Sequence, residues 1–172
     1  MLTYSQDQIN WMNWDQMMVK RQSDSVPKKV FIDLYTGWCG WCKRMDATTF
    51  KQKAIIDYMN QKYYAVKFDA ETRDTVNFNG VQFVNSDPLF EKRAKNSRGK
   101  PHWFAHSVLD GKLSYPSYAL LDENLIRLAI YNGFKQQEEL IGILFFFGAD
   151  QHKYYHNLLY KQWNESNQKN KQ

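Results

Sequence analysis

Cysteine is scarce in this chain, with two among 172 residues. Two are too few for a scaffold stapled by disulfides, so the fold has to rest on an ordinary hydrophobic core. Proline is scarce as well, with four. Long apolar runs are missing. The longest, LIGILFFFGA, is about half of the roughly 18 residues that span a bilayer, and it suits a buried helix. No concentrated basic face is legible either. The net charge is +5, and the lysines and arginines are scattered apart from pairs such as Lys28-Lys29 and Lys43-Arg44. That argues against nucleic acid as a partner. The first residues, MLTYSQDQINW, have no basic n-region and no apolar h-region, so no signal peptide is legible there. Internal repeats and low-complexity blocks are also missing.

What is present fits one soluble globular domain over residues 1–172: 43% hydrophobic and 24% charged residues, and enough length for a real core. WDQMMVKRQ predicts a helix over about 12–23. VFIDLY then reads as a buried strand, and YYAVKFDA as a second. A helix follows the cysteines to about Ala47. The capping-box spacing of Thr49 and Gln52 predicts a break near Thr48 and a new helix over about 51–61. In VNFNGVQFV, Asn79-Gly80 between alternating apolar runs predicts a β-hairpin with a type I′ turn. Asp87-Pro88 reads as the start of a helix running to about 97. WFAHSVLDG is expected to be a short helix stopped by Gly111, with His102, His106 and Asp110 sharing a solvated or loop-packing face. YALLD and IRLAIY pair across a turn. EELIGILFFFG is a helix with one apolar face, and Asp150 can cap a last helix with Tyr155, Leu158, Leu159 and Trp163 on one stripe. Trp11 and Trp14 are expected to pack on the core. The polar stretch 164–172 reads as a frayed tail. Strand–helix–strand followed by a closing hairpin gives a mixed α/β sheet with helices on both faces.

Both cysteines fall in VFIDLYTGWCGWCKRMD, residues 30–46, each directly after a tryptophan. A zinc site would need two more ligands, from His102 and His106 or from His152 and His156, at a separation far beyond the usual finger spacing. Covalent haem attachment needs histidine after the second cysteine, where Lys43 stands. A structural pair without chemistry fits poorly at a strand-to-helix junction. Dithiol–disulfide exchange fits best. At a helix start, unpaired N–H groups and the helix dipole stabilise a thiolate on Cys39, and Lys43 and Arg44 add positive potential. Cys42, one turn further in, is expected to be the more buried sulfur and to resolve a mixed disulfide.

On these residues the chain resembles the thioredoxin superfamily, and more closely its exported thiol:disulfide oxidoreductases with a WCxWCK motif. FIDLYTGWCGWCK carries the likeness, which extends over roughly 11–148. The resemblance implies a thioredoxin fold in which Cys39 is the nucleophile and Cys42 the resolving thiol. It also implies a buried acid six residues before the first cysteine, where Asp33 stands; desolvation would raise its pKa and suit it to take the proton of Cys42. A cis-proline opposite the cysteines is implied too. Pro116 in SYPSYALLD is the candidate, with Pro101 second, and the backbone of Tyr115 would then pair with an extended substrate. Trp38 and Trp41 would wall the sulfur. No metal or organic cofactor is implied. The expected partners are protein disulfides or dithiols and a redox partner protein, with the chain a monomer in the periplasm or otherwise exported. The chain departs from thioredoxin in Trp41 between the cysteines, in the longer stretch 71–114 with its hairpin and extra helix, and in the added C-terminal helix. The alternative is a thioredoxin-fold module that holds partners without redox turnover.

Overall fold

The computed structural model describes residues 7–87, 89, 92 and 98–169. Its centre is a five-stranded sheet: β1 (Trp11–Met12), β2 (Lys29–Tyr35), β3 (Tyr63–Asp69), β6 (Ser117–Leu121) and β7 (Arg127–Asn132), in the order β1-β3-β2-β6-β7. β1, β3 and β2 run parallel, while β6 and β7 are antiparallel to their neighbours. The mixed sheet flanked by helices is the architecture that the strand–helix–strand start and the closing hairpin imply. β1 takes up residues that the helical pattern assigns to the first helix. That helix, α1 (Trp14–Ser23), begins two residues later because Asn13 and Gln16 close a reciprocal capping box.

Side chains alternate across β2, which explains its unbroken apolar run. Val30, Ile32 and Leu34 enter a core under α1, with Trp14 and Met17. Phe31 enters the opposite core, with Met45 of α2 (Gly40–Ala47), Phe50 of a 3-10 turn (Thr49–Lys51) and Ile55, Ile56 and Met59 of α3 (Lys53–Lys62). Leu140, Leu144 and Phe147 of α5 (Gln137–Gly148) complete it. Trp11 and Trp14 pack on these cores as expected, Trp14 on Phe78 and Phe104 and Trp11 on Phe31 and Phe50.

The described residues of the long stretch 71–114 that join the core do so on the α1 side. β4 (Val76–Phe78) and β5 (Val81–Phe83) form the expected hairpin, with Asn79 and Gly80 at φ 49° and 78°. The helix expected from Asp87 to about 97 lies almost wholly outside the described residues. α4 (Trp103–Val108) follows. His102 does not join a solvated face. It is fully buried: its Nδ1 accepts from the Phe104 N–H at 3.0 Å and caps α4, and its Nε2 lies 2.9 Å from the Asp74 carbonyl. Burial holds its pKa below the ordinary histidine value.

The last helix, α6 (Gln151–Lys169), continues through most of the stretch whose composition reads as frayed. Its apolar stripe is uncovered, with Leu158 40% and Trp163 62% exposed. Asp150 stands just before α6, and its carboxylate lies 2.8 Å from the buried Nζ of Lys29, which Glu123 also pairs at 2.5 Å. Among the described residues no helix is long and apolar enough to cross a membrane, and no group of three or more acidic, histidine or cysteine side chains could hold a metal.

Candidate functional site

β2 ends at Tyr35, and the chain turns through Thr36, Gly37 and Trp38 into α2. The Cys39 N–H closes that turn on the Thr36 carbonyl at 3.1 Å. Cys39 is the N-cap of α2, in extended conformation, and its Sγ accepts the Cys42 N–H at 3.1 Å. The sulfur thus takes the place that a serine or aspartate oxygen commonly fills, facing the unpaired N–H groups and the positive end of the helix dipole. Cys39 and Cys42 are joined in a disulfide with Cα atoms 5.3 Å apart. Cys42 is not the more buried of the two. Both are nearly closed to solvent, at 3% and 4% exposed, since the bond draws Cys39 against the first turn of the helix that buries Cys42.

Asp33 is 2% exposed on the central strand, paired with Lys67 on one side and Tyr118 on the other. Its position in β2 places it on the same sheet face as Phe31, the face that α2 covers with Cys42 and Met45. Its Oδ2 lies 3.5 Å from Lys67 Nζ, while its Oδ1 has no hydrogen-bond partner among the described residues. Desolvation pushes the Asp33 carboxyl up to about 7, against the pull of Lys67 and with a further push from Asp46. Lys67 Nζ also pairs with Asp46 of α2. Sequence reading missed Lys67 and Asp46. Only the register Asp33↔Lys67 brings Lys67 to the acid.

The rim is built from distant residues. Trp38 Nε1 donates to Glu71 Oε1 at 2.9 Å, and the same oxygen accepts the Gly99 N–H at 2.7 Å. Tyr115 meets the Trp38 ring edge-on at 6.0 Å. The Tyr115–Pro116 peptide bond is cis and Pro116 is buried. Trp41 is 55% exposed and leans on Phe134, with ring centroids 5.7 Å apart. The structure therefore groups Cys39 with Cys42, Trp38 with Tyr115, and Asp33 with the sheet face under α2.

A family model described as "Thioredox_DsbH: Protein of unknown function, DUF255" matches residues 1–86, which contain both cysteines, Asp33 and Lys67. Among curated proteins, "Uncharacterized protein B0495.5" of Caenorhabditis elegans is 27% identical over 84 residues, 49% of this chain and 11% of that protein. The chain thus spans about a tenth of the length of that relative. The fold is similar to that of a thioredoxin from Thermus thermophilus, with a TM-score of 0.54 at 10% identity over 80% of this chain and 85% of that one. A thioredoxin-fold protein from Helicobacter pylori gives a TM-score of 0.50 at 12% identity, over 88% and 83%. The mixed sheet, the flanking helices and these likenesses make this a thioredoxin fold.

Proposed function

We propose that this chain, which belongs to the Thioredox_DsbH family, is a thiol:disulfide oxidoreductase that exchanges disulfides with protein substrates through Cys39 and Cys42. One observation carries the reading: a C-x-x-C disulfide whose first sulfur caps a helix and accepts an N–H from that helix. Fixed dipoles at that sulfur favour it as thiolate, the form that attacks and leaves in exchange.

From the disulfide state the chemistry runs in two displacements. A substrate thiolate attacks Cys39 Sγ. The Cys39–Cys42 bond breaks, a mixed disulfide forms, and Cys42 leaves as thiolate. With its pKa near 7, Asp33 is suited to hand that sulfur a proton and to take it back in the reverse step. The second substrate thiolate then attacks the substrate sulfur of the mixed disulfide. Cys39 departs as thiolate, stabilised by the Cys42 N–H and the helix end. Two electrons have passed from the substrate dithiol to the protein, and a partner disulfide protein takes them up. The reverse sequence reduces a substrate disulfide, with a dithiol partner supplying the electrons. The cis Tyr115–Pro116 segment is proposed to present the Tyr115 backbone to an extended substrate, with Trp38 and Trp41 as walls. A location outside the cytoplasm belongs to the same proposal and follows from the likeness of WCGWCK to exported oxidoreductases.

Equilibration in glutathione buffers tests the reading, together with turnover of a disulfide-bonded protein such as insulin. One two-electron transition of Cys39–Cys42 and turnover lost in Cys39→Ser are expected. Turnover no greater than that of Cys39→Ser would overturn it in favour of a partner-holding module.

A further inference from the structure

Each tryptophan beside the redox pair carries an arginine on its face. Arg98 Cζ stands 4.7 Å from the centroid of the Trp38 ring. Arg44 Cζ stands 5.2 Å from the centroids of both Trp41 and Phe134. Both arginines are exposed. Among the described residues neither guanidinium forms an ion pair or a hydrogen bond. Arginines away from the disulfide are used differently. Arg127 pairs with Asp110 at 2.9 Å, and Arg21 donates to the Glu123 carbonyl at 2.7 Å.

A guanidinium stacked on an indole spends its flat face and keeps its edge of N–H donors free. The aromatic surface fixes its plane, so little side-chain freedom is left to lose when a carboxylate arrives. Such an edge matches a carboxylate in two parallel hydrogen bonds. The acid nearest Trp38 is already committed: Glu71 binds the indole N–H and the Gly99 N–H, in the ring plane rather than on the face that Arg98 covers. Arg98 comes from the stretch 71–114 and Arg44 from α2 itself, so the tryptophans on either side of Cys39 in the sequence are covered from different elements. The net charge of +5 adds long-range attraction for an acidic partner.

We infer that Arg98 and Arg44 are carboxylate-reading groups that give the Cys39–Cys42 site a preference for substrate segments with Asp or Glu flanking the reactive cysteine. This rests on the oxidoreductase reading for its biological sense, but the recognition itself requires no turnover. The partner is accordingly an acidic, extended peptide segment.

The test is a titration of the oxidised protein with three matched peptides, followed by tryptophan fluorescence. Serine replaces the reactive cysteine, and the flanking residues are Glu, Gln or Lys. The Glu peptide should bind about tenfold more tightly than the Lys peptide at low salt, and the gap should close in 0.5 M salt, where screening is strong. In the double variant Arg98→Glu with Arg44→Glu the order should invert, with the Lys peptide bound more tightly than by the parent. An inversion includes a gain of affinity, which an unfolded variant cannot give. Equal affinity for the Glu and Lys peptides, or a Glu preference that survives in the double variant, would overturn the inference. Reaction of the reduced parent with 2-hydroxyethyl disulfide, a neutral substrate, runs alongside. Failure there counts against the oxidoreductase reading, while the titration decides the arginines.

Discussion

The Cys39–Cys42 disulfide has a rim and a floor, and they are built on opposite principles. On the rim the indole N–H of Trp38 is paired with Glu71, and Glu71 is paired again with the Gly99 N–H. The carboxylate there is half-buried and hydrogen-bonded twice, which is the arrangement that makes a buried acid tolerable. On the floor Asp33 is more deeply buried yet less well served. One oxygen reaches Lys67 at 3.5 Å, and the other finds no partner among the described residues. A buried acid so poorly paired weakens the fold when it ionises. The rim therefore stabilises the protein, whereas the floor costs stability and holds a group able to trade a proton near neutral pH. Desolvation, which Lys67 offsets only in part, keeps Asp33 near 7 instead of in the ordinary carboxylate range.

The largest expected effect comes from relieving the floor. In the unfolded chain the Asp33 carboxyl titrates at its ordinary value near 3.8, and in the fold at about 7. The folded state holds that proton more tightly, so between these values it binds more protons than the unfolded state. Stability then falls as pH rises through this window, and the loss is complete above about pH 7. Asp33→Asn removes the ionisation. It should stabilise the oxidised protein by roughly 2–4 kcal/mol at pH 8 and change little at pH 4. Urea unfolding at the two pH values measures both. Equal stability of parent and variant at pH 8 would show that the floor is not strained by its charge. The same variant should slow disulfide exchange at neutral pH by on the order of tenfold to a hundredfold and flatten the rate profile around pH 7.

Next in size is Trp38→Ala. It empties a half-buried ring site, removes the edge contact with Tyr115, and leaves Glu71 with only the Gly99 N–H. A loss of about 2–3 kcal/mol is expected, toward the low end for a large aromatic because the ring is not fully enclosed. Hydrogen exchange at Gly99 should rise with it, since the loop is tied through the same carboxylate. A variant as stable as the parent would mean that the insertion, not the tryptophan, carries the rim. Glu71→Gln is gentler. One amide oxygen remains as acceptor, but the charge assistance is gone, and about 1–2 kcal/mol should be lost. A gain in stability from Glu71→Gln would erase the distinction between rim and floor.

Part of the rim and part of the floor were legible in the sequence, and the rest was not, for a physical reason. Cys39 and Cys42 lie at one helix start after an apolar strand, so local pattern places them, whereas Asp33, Trp38, Trp41, Tyr115 and Pro116 are readable only through the resemblance of their stretch to a known family. The same locality made the Asn79-Gly80 hairpin readable from its turn chemistry. Lys67 and Asp46 reach Asp33 only through strand register and helix packing, which no short window contains. Glu71, Arg98 and Gly99 are further still from Trp38 in the sequence and meet it only through tertiary contacts. His102 misled for a related reason: its spacing to His106 suggested a shared face, but tertiary burial turned its ring into a helix cap. Composition read the end of α6 as frayed because its polar residues carry no sign of the helix that precedes them.

The smallest expected effect separates the two tryptophans themselves. Each precedes a cysteine, so sequence alone gives them equal weight. Trp41 is 55% exposed, and the structure gives its indole N–H no protein partner among the described residues. Its contacts are the tilted Phe134 ring at 5.7 Å and the Arg44 guanidinium at 5.2 Å. An aromatic pair and an exposed cation–π contact are each worth about 0.5–1 kcal/mol, and Arg44 keeps the face of Phe134 when the indole is removed. Trp41→Ala should therefore cost about 1 kcal/mol in urea unfolding, the lower end of the two contacts together because Arg44 keeps Phe134, and less than the cost at Trp38. The difference between the two variants is the firmer quantity, because both remove a tryptophan three residues apart, Trp38 from the turn before α2 and Trp41 from its first turn, with similar effects on the unfolded chain. Its sign follows from Glu71, which accepts the Trp38 indole N–H, is tied in turn to the Gly99 N–H, and has no counterpart at Trp41 among the described residues. If Trp41→Ala destabilised as much as Trp38→Ala, the stability of the rim would come from the W-C-G-W-C motif itself, and Glu71 would have no part in holding the Cys39–Cys42 pair in place.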